Sequence, residues 1–194
     1  MERPTEARRE IKLAQALDPL SVAIGTDMGF EQYYSADYEG ATKQLRAVVE
    51  MNPKFSLAHL WLGRAYQQKK MYADAVAEYE QTGGLRQWVP TVAALGHVYG
   101  LQGKTSDAKK VLAQLDEIAR ERYVTSYGVA LVYAGMGDKE QAFSKLEQAF
   151  GERSHWLVWL NIDPRWENLR GDPRFAELKR RVGLSTVLSH TVPR

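Results

Sequence analysis

The chain has 194 residues, 44% apolar and 26% charged, and 26 basic against 24 acidic residues leave a net charge of +2. That balance fits a globular protein with a sizeable core and argues against nucleic acid, which calls for a clustered basic face. Cysteine is absent, which excludes disulfides, thiolate metal sites and cysteine nucleophiles; no apolar run approaches the ~18 residues of a membrane helix, and MERPTEARRE lacks the apolar centre of a signal peptide.

The first predicted element is a helix over residues 5–19, TEARREIKLAQALDP. Four paired helical patterns follow, at about 22–55, 56–88, 89–122 and 123–151. They are in register. Gly29, Gly63, Gly96 and Ala130 are each followed twelve residues later by an alanine, Ala41, Ala75, Ala108 and Ala142, spaced 34, 33 and 34 apart. Four residues beyond each alanine stands Leu45, Tyr79, Leu112 or Leu146. Three beyond each small residue stands Gln32, Tyr66, Tyr99 or Tyr133. A small residue in one helix of a pair lets its partner approach, and the large side chains fill the groove between them. Turn signals, Ala36-Asp37, Gly103-Lys104 and Gly137-Asp138, separate the paired patterns. Gly83-Gly84 reads as a loop between units.

The N-terminal helix keeps the register: Ala7 lies 34 before Ala41, and Pro19 lies 34 before Pro53. It therefore reads as the second helix of a repeat without its first. Two explanations stand: residues 1–20 belong to a longer upstream array, or they form a solitary capping helix. A repeat unit cannot bury its apolar face alone, so Ile11, Leu13 and Leu17 are candidates for pairing with a second copy.

After Ala149 the period stops, and residues 152–184 read as a helical cap, with 185–194 as a tail. Ser154 is a possible N-cap for an apolar helix carrying Trp156, Leu157, Trp159 and Leu160, which should lie over the last repeat. Asp-Pro-Arg then occurs twice, from Asp163 and from Asp172. An aspartate accepts a bond from a first-turn amide, and proline suits the first helical position. Each copy is therefore expected to start a helix rather than to form an acid–arginine site. Gly171 ends the first helix and Gly183 the second. Trp166 and Phe175, each three residues after their aspartate, should point onto the repeats.

The 34-residue unit resembles the tetratricopeptide repeat. Its best copy is SLAHLWLGRAYQQKKMYADAVAEYEQTGG, where Leu62-Gly63-x-x-Tyr66 and Ala75-x-x-x-Tyr79 match the pattern. Departures are His59 for the early tryptophan, Gln32 for a tyrosine, Ala130 for a glycine, and no proline closing the second to fourth units. The resemblance covers about residues 22–151 and implies an all-α, right-handed superhelix, an α-solenoid. LRGDPRFAELKRRVGL also resembles the segment that closes repeat arrays in bacterial multidomain regulators and kinases. It implies the C-terminal module of a larger regulatory protein, cytoplasmic or else on the periplasmic side of a membrane-anchored one.

The resemblance further implies that the first helices of each pair line a concave groove. Its rows would be Thr26, Leu60, Ala93 and Tyr127; Phe30, Arg64, His97 and Leu131; and Tyr33, Gln67, Gly100 and Ala134. The clamp with which some relatives hold chaperone tails is absent, because its lysine and asparagine positions carry Thr26, Phe30, Leu60 and Arg64. The expected partner-binding residues are Phe30, Tyr33, Tyr34, Arg64, Gln67, His97, Tyr127 and Leu131, taking a peptide or protein segment. Ala93, Gly100 and Ala134 should leave room at the far end. Phe30 and Tyr33 have a plainer alternative, filling space beside the N-terminal helix.

Chemistry is thinly represented. His59, His97, His155 and His190 share no metal-ligand spacing, and no nucleophile elbow or phosphate loop occurs. Asp116/Glu117 and Glu78/Glu80 read as solvated charge. His97 is the one plausible polar catalyst, and no second catalytic group is evident. The expectation is a protein-binding scaffold without cofactor, metal or catalysis; self-assembly is the alternative, and a small-molecule enzyme the weakest reading.

Overall fold

The computed structural model describes residues 4–83 and 88–184, and within them the chain forms ten α-helices and no strand. The expected tail 185–194 with His190, and Gly84 of the inter-repeat loop, lie outside the described residues. A single helix, α1 (Pro4–Leu17), leads four helix hairpins. These are α2 (Val22–Tyr34) with α3 (Tyr38–Met51), α4 (Ser56–Gln68) with α5 (Tyr72–Glu80), α6 (Val89–Leu101) with α7 (Thr105–Ala119), and α8 (Ser126–Gly135) with α9 (Lys139–Gly151). Two 3₁₀ helices, His155–Trp159 and Pro164–Leu169, and α10 (Pro173–Val182) complete the chain. The hairpins stack into an α-solenoid through contacts between successive first helices, α2 on α4 and α6 on α8.

The turn within each hairpin has one recurring geometry. Ala36, Lys70, Gly103 and Gly137 all have positive φ, between 60° and 76°. The next amide reaches back to the carbonyl of Gln32, Tyr66, Tyr99 or Tyr133 at 2.9–3.0 Å. That bond closes the helix C-terminus and releases the chain into the next helix. Asp37 and Asp138 then cap α3 and α9 by accepting from Gly40 N and Gln141 N.

The close helix approach expected of the small residues is present. A Cβ on Gly63 would sit 2.5 Å from Tyr79 Cε1, and one on Gly29 would strike Leu45. The four alanines of the second helices are fully buried. The third unit departs from the pattern: Leu112 is only partly buried, and Val111 faces Gly96 in its place. The tightest approach joins two first helices, where a Cβ on Gly100 would run into the Gly135 backbone.

At the N-terminal end, α1 packs on α2, and Arg8 donates to the buried Glu31 carboxylate at 3.1 Å. Its other face is open: Leu13 is 54% and Leu17 88% exposed. At the C-terminal end, both aspartates cap as expected, Asp163 accepting from Arg165 N and Asp172 from Arg174 N. Gly183 closes α10 at φ 83°. The helix expected from Ser154 is instead a 3₁₀ turn, and the Ser154 hydroxyl meets Thr125 Oγ1 rather than capping it.

Gly100 and Gly151 test the packing account. Gly100→Ala drives a methyl into backbone and should cost about 1–3 kcal/mol, as overpacking does. Gly151, which ends α9 with open space around it, should accept alanine without loss. Urea denaturation of the two variants makes the comparison.

Candidate binding groove

The first helices place the predicted binding residues on one concave face, but the face is covered. Tyr33, Arg64, Gln67, His97, Tyr127 and Leu131 are no more than 2% exposed, and only Phe30 and Tyr34 of the eight remain partly accessible. The expectation of an open groove at these residues is therefore corrected: residues 155–169 of the same chain lie along it. The three tryptophans of that stretch are too apolar for water, and they pack against rings of the first helices, Trp159 on Tyr34 and Trp156 and Trp166 on Tyr127.

At one end, Trp159 stacks on Tyr34 with centroids 4.9 Å apart, and meets Phe30 edge-on at 5.6 Å. Phe30 in turn stands edge-on to Trp61 at 4.6 Å. At the other end Trp156 lies over Tyr127 at 6.4 Å. Between them the chain turns at Asp163, whose carboxylate is fully buried and accepts from Arg165 Nε at 2.9 Å and Arg165 Nη2 at 2.6 Å. The Tyr127 hydroxyl donates to Asp163 Oδ2 at 3.0 Å and accepts from Trp166 Nε1 at 2.8 Å. Arg170 bonds the carbonyls of Asn161 and Asp163, both at 2.9 Å.

The two Asp-Pro-Arg copies share this local geometry. In each, the arginine amide donates to the aspartate two residues earlier and the guanidinium folds back onto the same carboxylate. In the second copy those side-chain bonds are 3.1 and 2.9 Å. Their surroundings differ. Arg165 is enclosed in the groove, whereas Arg174 is solvent-exposed, lies over the Phe143 ring and also bonds Glu140. The helix-start reading holds for both copies, and the first additionally forms a buried ion pair.

Electrostatics follow from enclosure. Burial alone would raise the Asp163 carboxyl, but the Arg165 charge and hydrogen bonds, with Arg64 behind them, bring it down to about 2. Burial, and then the Arg165 charge, push His97 down to about 3 against the opposing pull of Asp163. Burial raises the Tyr33 and Tyr127 hydroxyls well above their ordinary value, and Tyr34 to about 12.

His97 Nδ1 meets Gln67 Nε2 at 2.8 Å, and Gln67 Oε1 accepts from Tyr79 at 3.1 Å. The amide thus donates to Nδ1 and selects the neutral tautomer with its proton on Nε2. The expected room at the far end is also taken. Ala93 and Ala134 are fully buried, α6 and α8 meet at Gly100, and Asn168 Nδ2 donates to the Ala134 carbonyl at 2.7 Å. Among the described residues no group of three or more His, Asp or Glu is placed to hold a metal ion, and no helix is long and apolar enough to cross a membrane.

Sequence reasoning missed Asp163, Arg165, Trp156 and Trp159 as groove residues. The available signal was the density of tryptophan after the last repeat.

Removing the acid should expose the difference between the two copies. Asp163→Asn leaves Arg165 enclosed without its carboxylate and should cost about 3–5 kcal/mol; Asp172→Ala should cost about 1 kcal/mol, the loss of a cap. Acidification separates the groups as well. The unfolded chain binds protons that the native state refuses, so stability falls as pH falls. The His97 contribution is complete above pH 6.5 and is lost toward pH 3. That of Asp163 is complete above 3.8 and is lost as pH falls through about 2. Urea titrations at stepped pH should find His97→Gln flattening the upper limb and Asp163→Asn only the lower one.

No family model matches the sequence, and no curated protein matches it. Solved structures do match. TTC0263, a thermophilic TPR protein of Thermus thermophilus, aligns at 19% identity over 91% of this chain and 90% of its own, with a TM-score of 0.64. A tetratricopeptide repeat protein from Parabacteroides merdae aligns at 13% identity over 93% of this chain and 72% of its own, TM-score 0.55. A chain of the APC/C hetero-tetramer Cut9–Hcn1 aligns at 14% identity over 95% of this chain but only 37% of its own, TM-score 0.64. With its four hairpins in a 34-residue register, the chain has the tetratricopeptide-repeat fold.

Proposed function

We propose that the chain is a non-catalytic protein-binding scaffold, the C-terminal module of a larger bacterial regulatory protein, whose concave groove takes an extended aromatic segment. The carrying observation is that the groove holds such a segment in cis. Trp159, Asp163, Arg165 and Trp166 occupy the positions where a partner's anchors would lie. The fold supports the scaffold reading, and the sequence of the closing segment supports the regulatory context. His97, neutral and tied to Gln67, is given no catalytic role.

The partner enters at the Phe30–Tyr34 end. There Trp159 is only partly buried, while Trp166 beyond it is fully enclosed. Trp159→Ala in the full chain should open that end. A synthetic peptide of residues 154–161, SHWLVWLN, should then bind about tenfold or more tightly than it binds the unaltered chain, the scale of a tryptophan anchor. Equal or absent binding in isothermal titration would remove the groove from the function.

A second reading rests on α1. Leu13 and Leu17 of α1 are exposed, as is Leu20 just after it, and solenoid ends need covering. If the chain self-assembles there, its sedimentation mass rises with concentration and Leu13→Glu with Leu17→Glu abolishes the rise.

A further inference from the structure

The chain leaves α9 through one tight turn. Glu152 closes the helix, Arg153 takes φ 53°, and the Ser154 amide donates to the Ala149 carbonyl at 2.9 Å. A residue other than glycine is disfavoured in that left-handed conformation. Ala36 and Lys70 adopt it too, but each joins two helices packed on one another in a hairpin. Arg153 instead joins α9 to a segment whose rings rest on α2 and α8, Trp159 on Tyr34 and both Trp156 and Trp166 on Tyr127.

Residues 154–184 form a self-contained unit. The buried Arg165 is neutralised by Asp163, and Arg170 bonds the Asn161 and Asp163 carbonyls, all within the segment. The segment can therefore leave the groove without separating that buried pair, the step that would be costly. Its outward bonds run from Ser154 to Thr125, from Asp163 and Trp166 to Tyr127, from Asn168 to the Ala134 carbonyl and from Arg174 to Glu140. Any groove of this sequence can supply those partners.

The turn itself is convertible to helix. Phe143, Leu146, Phe150, Leu157 and Leu160 follow one another at intervals of 3, 4, 7 and 3 residues, one helical face that runs on through residues 152–154. Glu152 and Arg153 are good helix formers, and the first proline beyond α9 is Pro164.

We infer that two copies of this chain exchange residues 154–184 by straightening the turn at Glu152 and Arg153, so that each groove is filled by the other copy's closing segment. Short hinges under strain favour such exchange. The groove contacts are kept and both hinges are relieved, while association costs translational and rotational freedom. The exchanged dimer therefore forms at high chain concentration and the closed monomer at low. This deepens the groove reading and rests on it: the aromatic segment taken from outside is that of a second copy.

The full chain is unfolded in urea, refolded at micromolar and at millimolar concentration, and resolved by size-exclusion chromatography with light scattering. A dimer should appear at the higher concentration and persist after dilution, because its return requires three tryptophans to leave a groove. Exchange is read from the variant Thr125→Cys with Ser154→Cys, whose replaced hydroxyls stand 2.9 Å apart. Oxidised after refolding, the dimer should run as a covalent dimer on a denaturing gel and the monomer as a single chain. Arg153→Gly removes the left-handed penalty and weakens a helical hinge, so the dimer dissociation constant should rise about tenfold or more. Leu13→Glu with Leu17→Glu should leave that constant unchanged, which separates exchange from pairing through α1. No dimer of the unaltered chain, disulfides confined to single chains, or a dimer indifferent to Arg153→Gly overturns exchange. The peptide SHWLVWLN then tells the two proposals apart: its binding to the Trp159→Ala chain upholds the groove without exchange, and its failure removes both.

Discussion

The Asp163–Arg165 ion pair is the constraint on which the arrangement of this molecule turns. A carboxylate and a guanidinium two residues apart have been taken out of water and set against the first helices of the solenoid. A buried pair of this kind gains little over well-packed apolar side chains, yet it is costly to break. Its consequence here is register. Asp163 must face Tyr127 and Arg170 must reach the Asn161 and Asp163 carbonyls. Together these bonds fix where the closing segment crosses the concave face, and so fix Trp159 over Tyr34 and Trp166 beneath Tyr127. The aromatic burial supplies the driving force, and the polar bonds select one alignment of it.

The repeat register and its turns were legible because they are local. A 34-residue period sets which helix faces meet. Gly103 and Gly137 mark turns that need a left-handed residue, while Ala36 and Lys70 take the same conformation with no glycine to announce it. Asp163 and Asp172 were readable as helix starts for the same reason. What periodicity cannot supply is what covers a face. The resemblance assigned Arg64, Gln67, His97 and Tyr127 to the concave side, and a partner groove and an intramolecular core look alike from that vantage. Ala93 and Ala134 illustrate the ambiguity, since a small residue either leaves room or admits a neighbouring helix, and here it does the latter. The arginine folded back in each Asp-Pro-Arg copy was equally invisible, because cap preference says nothing about the next side chain but one.

A solenoid that fills its own groove differs from one that presents it. The concave face becomes a second core, joining α2 to a segment more than a hundred residues away in the chain. Its enclosed middle is rigidly specified, with charged, amide and hydroxyl groups interlocked. Its rim at Phe30, Tyr34 and Trp159 is aromatic and partly open. Recognition from outside therefore has two different surfaces to address, the rim and the exposed edge of α1.

The filled groove depends on the closing segment lying against α2, and one measurement addresses that directly. A double-mutant cycle between Tyr34 and Trp159, each replaced by alanine singly and together in the full chain, reads their coupling from urea denaturation. Contact across the groove predicts a coupling of about 0.5–1.5 kcal/mol, the range for aromatic pairs. Effects that simply add, within about 0.3–0.5 kcal/mol, would mean that the two rings do not meet and that the groove is not filled in this way.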